Sequence, residues 1–156
     1  MATTTHPRPA VRIHRTVTLD PALRQHRLEV ARWALAHGRP LNLDSITVVL
    51  AARRHEAALE HRPFTRWSTT SLLTFLFGTC VQWCEANGVA RPPTCGETLL
   101  TYLDHLADTG QLATGSSPID QLRRTVAHLT GLSEAGFRSE PAPSRQFAVP
   151  TPIRST

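Results

Sequence analysis

Residues 66–88 read RWSTTSLLTFLFGTCVQWCEANG and predict the helix on which the fold depends. Ser68 is a favourable N-cap, and Asn87-Gly88 is a typical helix end. Apolar side chains lie nearly all round the helix between these ends, so we expect it to be central, with Trp83 buried. The apolar positions are Leu72, Leu73, Phe75, Leu76, Phe77, Cys80, Val81, Trp83 and Cys84.

Two more helices are predicted downstream, in TCGETLLTYLDHLADTG at 94–110 and SSPIDQLRRTVAHLTG at 116–131. Thr94 and Glu97 have the spacing of a capping box at the start of the first. Ser117-Pro118 begins the second, which Gly131 ends. The predicted buried stripes are Leu99, Leu100, Leu103, Leu106 and Ala107 in the first helix, and Ile119, Leu122, Val126 and Leu129 in the second.

Two helices are also predicted upstream. Asp20-Pro21 begins the first, which ends at Gly38. Asp44 caps the second, which covers residues 45–61 and has two apolar stripes, so we expect it to contact neighbours on two sides. The predicted buried face of the first helix consists of Leu28, Ala31 and Leu35.

The sequence therefore predicts an all-α protein, a compact bundle of about five short helices that forms one domain over residues 20–131. Residues 1–19 predict a flexible basic arm, and the Pro-rich residues 132–156 predict a disordered tail. The most apolar stretch, residues 72–84, is too short and too polar to span a bilayer, so we expect no membrane segment. Three cysteines without a secretory leader favour a reducing compartment, and we expect a cytoplasmic protein.

The charge pattern suggests an anionic partner. All 17 positive side chains are Arg, and the formal net charge is +5. Residues 1–62 hold 10 Arg against 5 acidic residues, whereas residues 63–156 hold 7 of each. The planar Arg guanidinium can bind phosphate through two hydrogen bonds, so the absence of Lys is consistent with an anionic partner. A GC-rich genome would also favour Arg codons, and both explanations stay open.

No arrangement of residues predicts an enzyme, a cofactor or a small-molecule substrate. His55-Glu56 lacks the second His of a zinc protease motif, and no phosphate loop or nucleophile elbow is present. Cys80, Cys84 and Cys95 are interpreted as small core residues in preference to zinc ligands, so no metal is expected. Asp104 and Asp108 are expected to form a solvated acidic face.

The predicted last helix has a basic outer face. At 100° per residue, Arg124 lies almost opposite the apolar stripe, with His128 one turn further on and Arg123 beside it. A solvent-exposed helix with two Arg is also common without any ligand. Arg53 and Arg54, inside the second helix, are expected to pair internally with Glu56, which we favour over a DNA contact.

Residues 65–131 resemble the core-binding domain of tyrosine recombinases and phage integrases. The resemblance rests on Trp83-Cys84 followed by Asn87-Gly88, on Tyr102-Leu103, Leu106-Ala107 and Gly110, and on Ile119, Leu122-Arg123-Arg124 and His128. It implies a SAM-like orthogonal bundle of four or five short helices that holds one side of a DNA site, while a separate catalytic domain holds the other.

The catalytic residues of that family are not found. His128-Leu129-Thr130-Gly131 lacks the Arg of a His-x-x-Arg pair, and the only tyrosine, Tyr102, lies in mid-helix at what resembles an aromatic core position. The sequence therefore predicts a noncatalytic DNA-binding protein, either an accessory factor or a truncated integrase. The alternative is an all-helical protein–protein interaction module. Expected contacts to the phosphates of double-stranded DNA come from Arg123, Arg124, His128, Arg66, Arg8, Arg12 and Arg15.

Overall fold

The computed structural model describes residues 17–132, within which the chain forms five helices and no strand. The all-α prediction is confirmed. We number the helices α1 to α5; α3 is continuous and consists of two α-helical parts joined by a π-helical turn. The bounds are Pro21–Ala36 for α1, Leu43–Glu60 for α2, Thr69–Thr74, Phe75–Thr79 (π) and Cys80–Asn87 for α3, Cys95–Asp108 for α4 and Ile119–Thr130 for α5.

The first helix begins where the sequence predicts but buries a different face. The Asp20 side chain accepts a hydrogen bond from the Leu23 amide, and Pro21 occupies the first turn. The expected face is wrong, because Leu28 and Leu35 are 42% and 85% exposed. The buried residues are Leu23, Val30 and Ala34. Both sets have helical spacing, so tertiary packing decides between them.

Helix α2 runs through the centre of the bundle and packs against α1, α3 and α4. The expected contact on two sides is confirmed, since ten of its residues are buried. Its N-cap is Asn42 and not Asp44, because the Asn42 side chain accepts the Ser45 amide hydrogen bond. The helix ends at His61, whose φ of 53° is left-handed.

Helix α3 is less central than the sequence predicts. Leu73 and Phe77 are 49% and 56% exposed, and Trp83 is only partly buried. The fully buried indole is instead that of Trp67, which precedes the helix. The π-helical turn inserts an extra residue into the helical repeat and changes which side chains face the core.

Helix α4 is the most thoroughly buried of the helices, because ten of its 14 residues are buried, and α5 packs along it. The expected leucine stripe is confirmed, but the Thr94 side chain makes no capping bond and shares a 2.7 Å hydrogen bond with Ser45 instead. The loop before α5 is joined to the start of α3, because the Ser117 amide donates to the Trp67 carbonyl oxygen over 2.8 Å.

The ends of the predicted domain are only partly described. Leu19, which the sequence analysis assigns to the arm, is 4% exposed and belongs to the core. Residues 1–16 and 133–156, with most of the predicted arm and tail, lie outside the described residues. Within residues 17–132, no helix has the length and apolar content needed to cross a bilayer.

Candidate nucleic-acid interface

Helix α5 exposes Arg124 and His128 on the side opposite its buried residues, as the helical spacing predicts. Leu122, Val126 and Ala127 fix the helix in the core. The Arg124 guanidinium donates only to the Asp120 carbonyl oxygen, over 3.3 Å, and no carboxylate among residues 17–132 pairs with it. Arg124 is therefore an exposed cation on a helix whose opposite side is buried in the core.

Arg123 is next in sequence but is held differently. Its Nε donates to Asp104 of α4, and its Nη1 lies 3.9 Å from the Asp120 carboxylate. The side chain remains 46% exposed. Its charge is therefore already paired with carboxylates within the protein, and Arg123 ties α5 to α4.

The prediction that Asp104 belongs to a solvated acidic face is wrong. Its side chain is only 3% exposed, and it also accepts a contact from Nη2 of Arg39 at 2.5 Å. A carboxylate can be buried because two guanidinium groups compensate its lost hydration. Asp104 is therefore the centre of an ion cluster, Arg39–Asp104–Arg123, that connects the end of α1 with α4 and α5.

Asp108 is exposed, as predicted, but it also has partners. Nε1 of Trp33 donates to it over 2.7 Å, and His37, stacked on Trp33 with ring centroids 4.3 Å apart, lies 3.9 Å away. These residues and the ion cluster line a cleft of about 420 Å³. The lining includes two Asp and two Arg side chains, whose charges cancel, so the cleft has no net charge that would favour an ionic ligand.

Arg66 lies beside the loop that leads into α5. Its guanidinium packs against Gly115, whose φ is 87° and where an added Cβ would lie 3.2 Å from Arg66 Nε. Glycine is needed at this position both for the backbone conformation and for the close approach. The structure shows no contact between Arg66 and Arg124, and Arg8, Arg12 and Arg15 lie outside the described residues.

The buried side chain of Arg53 holds the backbone at Arg66 through a hydrogen bond to the Arg66 carbonyl oxygen. The expected pairing of Arg53 with Glu56 is confirmed, and Arg53 is 2% exposed. Its guanidinium also donates to the Phe64 and Arg66 carbonyl oxygens and lies 4.2 Å from the centroid of the Trp67 ring. Burial lowers the pKa of Arg53. Sequence spacing indicated the ion pair but not these contacts to the segment before α3.

A buried polar group that the sequence analysis missed lies between α1 and α4. We call His26 and His105 the histidine pair; their rings are 5.8 Å apart, and His26 Nε2 lies 3.0 Å from the Tyr102 hydroxyl. Burial lowers the pKa of both histidines and raises that of Tyr102. Tyr102 is fully buried, as expected for an aromatic core position.

Charge is nearly balanced in the described part of the chain. Residues 17–132 hold 11 Arg and 10 acidic residues, so most of the basic excess lies in residues 1–16 and 133–156. Among residues 17–132, no three His, Cys, Asp or Glu side chains are placed to hold a metal ion. The formal charge of residues 17–132 is therefore close to zero, and Arg124 is a local cation on this bundle.

Comparisons with protein-family models, curated proteins and solved structures found no match for this chain.

Proposed function

We propose that this chain binds double-stranded DNA without catalysis, through phosphate contacts from the exposed side of α5. The observation that supports this best is the exposure of Arg124 without a carboxylate partner, on a helix whose other side is fixed in the core. A guanidinium fork in this setting binds phosphate without first breaking an internal ion pair. His128, one turn away, adds a second polar contact.

The other predicted contact residues have different roles in this proposal. Arg123 positions α5 through Asp104 and contributes only its exposed part to the phosphate contact. Arg66 borders the loop before α5 and contacts phosphate at that end of the helix. Arg8, Arg12 and Arg15 supply most of the long-range attraction, because the bundle itself is nearly neutral.

The resemblance to core-binding domains of tyrosine recombinases supports the choice of DNA as the anion. In that family the domain holds one side of a recombination site and leaves the chemistry to another domain. By this proposal the chain acts as an accessory factor or as the DNA-holding part of an integrase.

Fluorescence anisotropy with a labelled duplex tests the proposal in the full-length protein. Replacing Arg124 by Ala removes one charge-assisted contact of about 1.5–3 kcal/mol, so affinity should fall roughly tenfold or more. Arg32→Ala, which removes the same charge from the exposed surface of α1, is the matched control and should change affinity less than about twofold. Equal losses in both variants would contradict a specific role for α5.

Deleting residues 1–16 tests the contribution of the arm. The deletion removes three Arg, so the slope of log affinity against log salt should fall by about 2.7. Helix content should not change, because the deletion leaves Leu19 in place. An unchanged affinity would remove the arm from the proposal.

A second candidate function, docking of another protein, is favoured by the exposed leucines of α1. Leu28 and Leu35 lie two turns apart on the same side of this helix and are 42% and 85% exposed. If this is the main function, the full-length protein shows no DNA binding at low salt. Replacing Leu35 by Ser then abolishes partner binding without lowering the thermal midpoint of unfolding.

A further inference from the structure

Three cysteines lie together where α3 meets the start of α4. Cys80 and Cys84 are one helical turn apart on α3, and Cys95 is the first residue of α4. All three are free thiols and almost fully buried, at 0%, 2% and 3% exposure. The thiols of Cys80 and Cys95 are close enough for a side-chain hydrogen bond to each other.

Cys95 differs from the other two because it borders a cavity. A space of about 340 Å³ lies beside it, lined by Phe77, Arg91, Pro92 and Leu129 among others. Cys95 is therefore the one of the three cysteines that lines this cavity. Cys80 and Cys84 do not line the cavity.

The surroundings of Cys95 favour the thiolate. The sulfur lies in the first turn of a 14-residue helix, where amide groups and the helix dipole stabilise negative charge. Arg91 also contributes a hydrogen bond and positive charge, and the pKa of Cys95 is lowered, mainly through the hydrogen bond from Cys80. The pKa of Cys84 is raised to about 11, mainly by burial. Of the three thiols, Cys95 alone combines a neighbouring cavity, a position in the first turn of a helix and a contact with Arg91 that favours its thiolate.

We propose that Cys95 is a peroxide-reactive cysteine and that Cys80 converts its oxidised form into an intramolecular disulfide. The Cys95 thiolate attacks a hydroperoxide; an S–O bond forms as the O–O bond breaks, and the leaving oxygen departs as hydroxide or alkoxide. Cys95 loses two electrons and becomes a sulfenic acid, while the peroxide is reduced. The Cys80 sulfur then attacks Cys95; an S–S bond forms, and the S–O bond breaks with loss of water, which takes up the Cys80 proton.

Peptide mapping tests this assignment. Full-length protein is treated with hydrogen peroxide, its remaining thiols are blocked in denaturant, and it is cleaved after Glu60, Glu85 and Glu97. The proposal predicts that peptide 61–85, which contains Cys80 and Cys84, becomes joined to peptide 86–97, which contains Cys95. Fragmentation should place the bond at Cys80. A bond at Cys84, or no oxidation of Cys95, would overturn the proposal.

Three single substitutions make the test specific. Cys84→Ala should form the disulfide like the parent. Cys80→Ser keeps a hydrogen-bond donor beside Cys95 but cannot form a disulfide, so it should instead keep a sulfenic acid on Cys95 that dimedone traps. Cys95→Ala should remove the peroxide reaction altogether. Circular dichroism establishes that each variant is folded before treatment. A peroxide reaction that persists in Cys95→Ala would show that another thiol is the reactive one.

Alkylation of the parent protein provides a test that needs no substitution. Cys84 is the matched control because it is as buried as Cys95. The pKa of Cys95 is lowered and that of Cys84 is raised to about 11, so Cys95 has the larger thiolate fraction at neutral pH. Iodoacetamide should therefore modify Cys95 in the native protein at least severalfold (~3-fold or more) faster than Cys84. Equal rates would contradict the activation of Cys95.

Discussion

Removal of the Asp104 carboxylate should destabilise the protein more than most surface substitutions do. Asp104 is 3% exposed, and Arg39, one of its two guanidinium partners, is 9% exposed. Replacing Asp104 by Ala removes a buried carboxylate that lies 2.5 Å from the Arg39 guanidinium. Breaking a buried ion pair in this way costs about 3–5 kcal/mol.

The other partner provides an internal comparison. Arg123 is 46% exposed, so its ion pair with Asp104 is partly screened by water, and Arg123→Ala should cost no more than about 1 kcal/mol. Urea denaturation followed by circular dichroism measures both free energies of unfolding. A loss below about 1 kcal/mol for Asp104→Ala, or equal losses in the two variants, would refute the conclusion that Asp104 is a buried centre between two Arg.

Three more outcomes follow from the packing of the bundle. Gly96→Ala should lower the free energy of unfolding by about 1–3 kcal/mol in thermal or urea denaturation, because the new Cβ would lie 2.5 Å from Thr130 Cγ2. Gly78→Ala is the control and should cause no such loss, because its Cβ would meet nothing within 4 Å. Equal effects of the two substitutions would rule out the clash. Trp67→Ala should cost about 3–5 kcal/mol and Trp83→Ala clearly less, because only Trp67 is fully buried; the reverse order would contradict the orientation of α3. For the histidine pair, burial lowers the folded-state pKa below the ordinary 6.5, so the unfolded chain binds more protons. Stability should therefore be complete above pH 6.5 and decrease as the pH falls below it, by at most about 1.4 kcal/mol per pH unit for each histidine, and a free energy of unfolding that stays constant from pH 7.5 to 5.5 would contradict this.

Helix ends were predictable from the sequence because they depend on neighbouring residues. Asp20 caps α1, and Gly88 and Gly131 end α3 and α5 in left-handed conformations, as expected. The exposed side of α5 was also predictable, because its apolar residues recur in a single stripe. One stripe leaves one choice of buried face.

The burial of a side chain could not be predicted where it depends on residues that are distant in the sequence. Helix α1 has two apolar stripes, and nothing local indicates that Leu35 faces solvent while Val30 faces the core. Asp104 follows a leucine stripe on α4, and its burial depends on Arg39, which is remote in sequence. Trp67 precedes a helix and is buried in the core, with Arg53 over its ring and Phe75 in edge contact with it. In all three cases, tertiary contacts determine which side chain is buried.

The salt dependence of duplex binding tests the proposed DNA contact by α5 most directly. Affinity of the full-length protein should fall as salt rises, and Arg124→Ala should lower the slope of log affinity against log salt by about 0.9. Arg123→Ala should lower it by less, because Asp104 already neutralises much of that charge. A slope that is the same in Arg124→Ala and the parent, or no detectable binding by the parent at low salt, would contradict the proposal.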